Sequence, residues 1–160
     1  MMYRKATGED LERLWDYQIA QNPGDDRYLR WKAQFIADNR SGAAATFAVI
    51  IDGEPIGEGT LLFSPECRAI RGRTALADDK TTANINALRI RKEYEGRGHI
   101  SNLVRLMENT AREMGFSRIT IGVEETELRN RAIYAHWGYV NLVMTEEDAG
   151  TQVLYYAKEL

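Results

Sequence analysis

Residues Asn84 to Met114 read NINALRIRKEYEGRGHISNLVRLMENTAREM, and this stretch decides the fold. An apolar run enters a turn carrying Gly96 and Gly98, and the turn opens an amphipathic segment. Ile100, Leu103, Val104, Met107, Ala111 and Met114 recur at the spacing of one helix face. The first N–H groups of a helix have no partner within it, and the helix dipole favours negative charge at that end. A strand that turns through glycines into a helix is therefore a place to hold a phosphate. Gly96 and Gly98 carry no Cβ to obstruct the approach, and both tolerate positive φ. N–H groups from about Arg97 to Ser101 can converge on one anion. Arg97, Arg91 and Lys92 add positive charge nearby. No Gly-Lys-Ser/Thr follows, so this is not a nucleoside-triphosphate loop. The third glycine of a dinucleotide fingerprint is also missing.

Working outward, Met2 to Ala6 reads as a strand. Thr7 then reads as an N-cap with Asp10 in the capping-box position. Leu11, Leu14, Trp15 and Ile19 keep helical spacing until Asn22-Pro23-Gly24. A second helix begins near Asp25 and Asp26 and ends between Asn39 and Gly42. Its aromatic residues, Tyr28, Trp31 and Phe35, read mainly as core. Ala44 to Ile51, the Asp52-Gly53 turn and Pro55 to Phe63 form a hairpin. Ser64 to Thr82 is a long polar stretch, either a solvated excursion or a functional loop. Ala83 to Ile90 is the strand before the glycine turn. After the helix, Ile119, Ile121 and Val123 alternate as a strand, and Leu128 to Trp137 is helical. Tyr139 to Met144 and Thr151 to Ala157 close the chain as a strand pair around Glu146 to Gly150. The order predicts one mixed α/β (α+β) domain over residues 1–160.

The chain has 160 residues, 44% of them hydrophobic and 28% charged, which is ordinary for a globular protein able to build its own core. A single cysteine, Cys67, excludes an internal disulfide, and two histidines without cysteine partners exclude a zinc-finger spacing. We expect no metal. No apolar run is long enough for a bilayer, and MMYRKATGED has no secretory hydrophobic segment, so the expectations are no membrane and a cytoplasmic location. A net charge of -3 lacks the basic footprint of nucleic-acid binding. It draws cationic small molecules only weakly.

Ile90 to Ser101 with its helix, then a strand, then Asn130 to Tyr139 (NRAIYAHWGY), resemble the GCN5-related N-acetyltransferase (GNAT) superfamily. The turn resembles that family's Arg/Gln-x-x-Gly-x-Gly/Ala pyrophosphate motif. The later segment resembles its motif of Asn, Ala, Tyr and Gly-Phe/Tyr in that order. The element order over the whole chain is similar too. The resemblance implies a mixed, largely antiparallel sheet flanked by helices, with a splayed central strand pair. It implies acetyl-CoA as co-substrate. Leu88, Arg89 and Ile90 would meet the pantetheine arm and thioester through their backbone. Glu95, Gly96, Arg97, Gly98, His99, Ile100 and Ser101 would hold the pyrophosphate. Asn130 would approach the cofactor arm, and Tyr134 would protonate the departing thiolate. Two positions depart from the pattern: Glu95 replaces Arg or Gln, and Ile100 replaces Gly or Ala. Glu95 brings a negative charge to an anion site, and Ile100 keeps its N–H but adds bulk.

An alkyl ammonium has a pKa of about 10, so the attacking amine must lose a proton at neutral pH. A carboxylate can take it. Glu124 is the candidate catalytic carboxylate beside Tyr134, with Glu58 and Glu125 as alternatives. Asp25 or Asp26 can meet a cationic acceptor. A backbone N–H near Leu88 to Ile90 can hold the oxyanion. The resulting expectation is acetyl transfer to a primary amine of a small molecule. A protein acetyltransferase and a non-catalytic acyl-CoA-binding module remain alternatives, and a homodimer is left open.

Overall fold

A computed structural model describes all 160 residues. The elements follow the expected order: β1 (Met2–Lys5), α1 (Gly8–Gln21), α2 (Arg27–Ser41), β2 (Ala44–Ile51), β3 (Glu54–Leu62), β4 (Thr82–Ile90), α3 (His99–Glu113), β5 (Arg118–Glu124), α4 (Leu128–His136), β6 (Asn141–Asp148) and β7 (Thr151–Glu159). The strands hydrogen-bond in the order β1-β2-β3-β4-β5-β7-β6. Pairs β1–β2, β5–β7 and β6–β7 are antiparallel, and β4–β5 is parallel. No helix is long and apolar enough to cross a membrane. By contact density the chain forms two compact units: Met1–Leu61 with Ala87–Thr110, and Leu62–Asn86 with Ala111–Leu160.

In the first unit, local chemistry sets each helix. Thr7 accepts the N–H of Asp10, and Asp10 accepts the N–H of Thr7, which completes the capping box of α1. Asp10 also pairs with Arg4 of β1. The helix ends where Asn22-Pro23-Gly24 removes both a donor and the helical conformation. Helix α2 ends on Gly42, at φ +84°. Trp15 of α1 and Phe35 of α2 are buried with ring centroids 5.0 Å apart. Lys32 bridges the same helices to Glu12 and Asp16 at 2.6 and 2.8 Å. Strand β2 is buried from Ala44 to Ile50. Its buried Thr46 hydroxyl is satisfied by Thr60 at 2.8 Å and by the Asn39 amide at 3.0 Å. Asp52 and Gly53 both have positive φ, the two-residue turn that suits the twist of a hairpin.

In the second unit, the stretch from Ser64 to Thr81 is not a solvated excursion. Cys67, Ile70, Leu76 and Ala77 are buried, so its apolar residues anchor it to the core. Its arginines are engaged as well: Arg71 and Arg73 each reach Glu146 at 2.5 Å. Asp78 ties down the end of the loop. Burial alone would raise its carboxyl, but N–H groups of Thr82, Thr81 and Lys80 and the Thr81 hydroxyl hold it far below the usual carboxylate range. The buried Thr120 hydroxyl donates to the Leu76 carbonyl at 2.8 Å and accepts from the Asn84 amide at 3.0 Å. The last two strands are longer than the alternation predicts. They meet at Ala149-Gly150, both at positive φ, so Glu146 to Asp148 belong to β6.

Glycines in β3 let neighbours close in. A Cβ built on Gly59 would lie 2.7 Å from Met107 Cε and 2.9 Å from Leu88 Cδ1, closer than real Cβ contacts allow. Gly59→Ala is expected to destabilise the protein by about 1–3 kcal/mol through overpacking, measured by denaturant unfolding. A variant with wild-type stability would show that Met107 and Leu88 yield without strain.

Candidate active site

The polar side chains of interest begin with β4. Its pairing with β5 runs from Thr82↔Arg118 to Ile85↔Ile121, while β4 itself continues to Ile90. Ala87 stands at φ +51°, unusual for a residue with a side chain. The apolar parity changes there, from Ala83 and Ile85 to Leu88 and Ile90. Leu88 and Ile90 approach the side of β3 bared by Gly59 and Gly57. Residues alternate along a strand, so Arg89 and Glu58 meet on the other side. There Arg89 Nη2 lies 3.2 Å from Glu58 Oε1.

Beyond Ile90 the chain makes one turn of 3-10 helix, Lys92–Tyr94, which the sequence reading did not foresee. Gly96 and Gly98 have φ +76° and +82°, as the turn demands. Atoms placed at their missing Cβ positions would meet nothing within 4 Å. The N–H of Asn102 finds the Gly98 carbonyl at 3.1 Å. The N–H groups before it, from His99 to Ser101, are the orphan donors of α3. Glu95 and Arg97 are exposed, with the Arg97 guanidinium 5.6 Å from the Tyr94 ring. Ile100 and Ser101 are half-buried. His99, expected at the pyrophosphate, is buried at 6% exposure. Its Nδ1 and the Tyr3 hydroxyl share a hydrogen bond of 2.9 Å, and the Asn102 amide donates to that hydroxyl at 3.1 Å. The His99 side chain thus fixes the start of α3, which leaves its backbone N–H for a ligand.

Of the other basic residues, Arg91 reaches Glu54 at 3.0 Å and stacks 4.2 Å above Tyr17. Asp25, considered as an acceptor for a cation, already receives Arg27 at 2.7 Å.

The second unit holds Glu124, Asn130 and Tyr134. Asn130 and Tyr134 sit one turn apart on α4. The Asn130 amide is exposed and donates to Glu127 at 2.9 Å. Tyr134 is half-buried and stacks on Trp137 with centroids 5.7 Å apart. Burial pushes its hydroxyl above the usual tyrosine value, and the Glu127 charge adds to the rise. Glu124 is exposed at the end of β5. Glu58 contrasts with it: at 1% exposure, its carboxyl is pushed up by burial against the opposing pull of Arg89.

The sequence reading took Arg89 for its backbone and missed its side chain. The guanidinium stacks 4.5 Å above buried Trp15. Two signals pointed to it: an acid between two glycines at Gly57-Glu58-Gly59, and the change of parity at Ala87.

A mixed sheet with one parallel pair, a glycine turn before α3 and a tyrosine on α4 define an acetyltransferase-type fold. The acetyltransferase (GNAT) family model matches residues 9–139, and the chain belongs to that family. No curated protein matches the sequence. Among solved structures, the chain is similar to a ribosomal-protein-alanine N-acetyltransferase from Brucella melitensis, with TM-score 0.73, 16% identity and 100% of both chains covered. It is also similar to an aminoglycoside 6'-acetyltransferase type Ii, with TM-score 0.74, 15% identity, and 99% and 97% covered. A PaiA N-acetyltransferase from Thermoplasma acidophilum, in complex with coenzyme A, gives TM-score 0.65 and 16% identity, with 99% and 98% covered.

The exposed Glu95 sits beside the orphan donors, so its charge should oppose an anion there. Glu95→Gln is expected to tighten binding of a pyrophosphate-bearing ligand about two- to fivefold at low salt, with the gain shrinking as salt rises. Calorimetry with coenzyme A checks this. Equal affinities at every salt concentration would mean that Glu95 does not act on the ligand.

Proposed function

We propose that the protein transfers an acetyl group from acetyl-CoA to a primary amine of a small molecule. The observation that carries this reading is the open glycine turn before α3, in a chain of acetyltransferase family. The turn fits a pyrophosphate. Its glycines leave open space, the orphan N–H groups of α3 donate, and Arg97 supplies charge. Gly96, Arg97, Gly98, His99, Ile100 and Ser101 would hold the ligand's phosphates mainly through backbone N–H, so Ile100 retains its contribution. The backbone of Leu88, Arg89 and Ile90 would hold the pantetheine arm, and an N–H there would take charge from the oxyanion.

When bound, acetyl-CoA supplies a thioester carbonyl that the amine nitrogen attacks as the carbon–sulfur bond breaks. Tyr134 would hold the proton that the departing sulfur needs. A tyrosine hydroxyl, ordinarily with a pKa of about 10 and raised here by burial, is protonated at neutral pH. A carboxylate would remove the amine proton. Glu124 offers an exposed group, and Glu58 a buried one whose proton affinity is raised toward that of an amine. Asn130, bonded to Glu127, would steady the start of α4 near the cofactor arm.

Thiol release from acetyl-CoA across a panel of amines tests the proposal. Amine-dependent release should fall about a hundredfold in kcat for Tyr134→Phe, with coenzyme A affinity retained. Coenzyme A binding without release for any amine would point to a binding module. Absence of coenzyme A binding would remove the reading of the turn.

A further inference from the structure

The register of β4 with β5 ends at Ile85↔Ile121, although β4 runs on to Ile90. On its other side β3 stays close. The Arg91 N–H donates to the Ile56 carbonyl at 2.9 Å, and a Cβ built on Gly57 would lie 3.1 Å from the Arg89 carbonyl oxygen. Residues 86–90 are therefore held from one edge, and Ala87 among them stands at φ +51°. That conformation costs roughly 1–2 kcal/mol in a residue with a side chain. It persists only where the surroundings over-determine it, and such strain gathers at functional sites.

Side chains on both faces of the strand supply that constraint. On one face, Leu88 and Ile90 close onto Gly59 and Gly57. On the other, the Arg89 guanidinium lies 4.5 Å from the centroid of the Trp15 ring, and its Nη2 is 3.2 Å from Glu58 Oε1. Trp15 and Glu58 are 2% and 1% exposed, so neither shifts without opening the core. Arg89 Nε and Nη2 and Glu58 Oε1 are buried and make no hydrogen bond. What grips the guanidinium is therefore the ion pair and the stack, both strengthened by the dry surroundings. The cleft beside the pair has a cavity of only ≈ 10 Å³, about the space of one water. No substrate reaches the guanidinium edge, so this side chain acts on its own strand.

We propose that the Arg89 side chain is a positioning residue for acetyl transfer: clamped between Trp15 and Glu58, it holds residues 88–90 in the rotation that aims their backbone at the thioester. It touches neither the acyl group nor the amine. Its effect passes through the backbone of Leu88 and Ile90, whose side chains fix the opposite face. The angle of a backbone donor decides its strength, since a hydrogen bond weakens steeply as it bends. Without the clamp, Ala87 is free to relax from positive φ, and the strand beyond it rotates. The glycine turn is set off from these residues by the 3-10 turn Lys92–Tyr94. Loss of the clamp therefore separates the two tasks: phosphate binding survives and the reacting carbonyl loses its alignment. This inference rests on the acetyltransferase reading for the reaction, but not for the effect on the strand.

The test uses the full chain in two arms. The first measures amine-dependent thiol release from acetyl-CoA beside coenzyme A affinity. Arg89→Met keeps an apolar stem against Trp15 and removes the charge. Its kcat should fall about tenfold or more, with the Kd for coenzyme A within about twofold of wild type. Arg89→Lys keeps the charge but not the flat stacking group, and should recover part of the lost kcat. The second arm needs no substrate. It compares backbone amide resonances, and in Arg89→Met those of Leu88 and Ile90 should move while those of Gly96 and Gly98 stay. Wild-type kcat in Arg89→Met would overturn the proposal, as would unmoved Leu88 and Ile90 amides. A fall in kcat matched by an equal loss of coenzyme A affinity would also overturn it, since the side chain would then serve stability alone. Should Arg89→Met fail to fold, Arg89→Lys carries the test, and wild-type kcat with unmoved amides in that variant overturns the proposal. Displaced amides in a chain that releases no thiol with any amine would keep the clamp on β4 and remove the acetyltransferase reading.

Discussion

Backbone N–H and C=O groups must be paired or kept within reach of something that can pair them, and β4 is where this chain meets that constraint in two ways. From Thr82 to Ile85 the strand is buried and paired with β5. Positive φ at Ala87 costs roughly 1–2 kcal/mol in a residue with a side chain, so the surrounding structure must impose it. The gain is a change of face. Leu88 and Ile90 pack toward the glycines of β3, and Arg89 reaches Glu58 and Trp15. Had the original alternation continued, Arg89 would share the parity of Ile85, a buried core residue.

The same constraint explains the start of α3. Its orphan N–H groups are useful only if the chain before them stays open and the helix does not fray. Gly96 and Gly98 provide the opening. Tyr3, His99 and Asn102 provide the fixing, through two hydrogen bonds that tie the first turn of α3 to β1. The His99 side chain therefore orders the first turn of α3 and is itself occupied by Tyr3. A preorganised donor set loses less entropy on binding than a mobile one.

Much of this was legible in the sequence because local chemistry decided it. The Thr7–Asp10 capping box, the Asp52-Gly53 turn and the α3 stripe from Leu103 to Ala111 depend on residues close in the chain and formed as read, whereas Met114, read into that stripe, lies past the helix end and is exposed. What the sequence hid depends on distant partners. The polarity of Ser64 to Thr81 concealed its buried anchors, Ile70 and Leu76, because scattered apolar residues have no period to detect. The Glu58–Arg89 contact joins two strands and rests on a parity change that reads as noise until Ala87 is seen at positive φ. The burial of His99 was hidden because its partner, Tyr3, lies 96 residues away. The turn glycines were plain in the sequence, whereas the direction of the Glu95 and Arg97 side chains was not.

Burial acts on Tyr134 and Glu58 in the same direction, with different consequences for their chemistry. Both lie away from water, and desolvation disfavours the charged form of each, so both hold a proton more tightly than in solution. For tyrosine, protonated at neutral pH in any case, this makes the hydroxyl a weaker acid. For glutamate it raises the basicity of the anion toward that of the amine it would deprotonate. Arg89 limits the second effect, because its charge favours the ionised carboxylate.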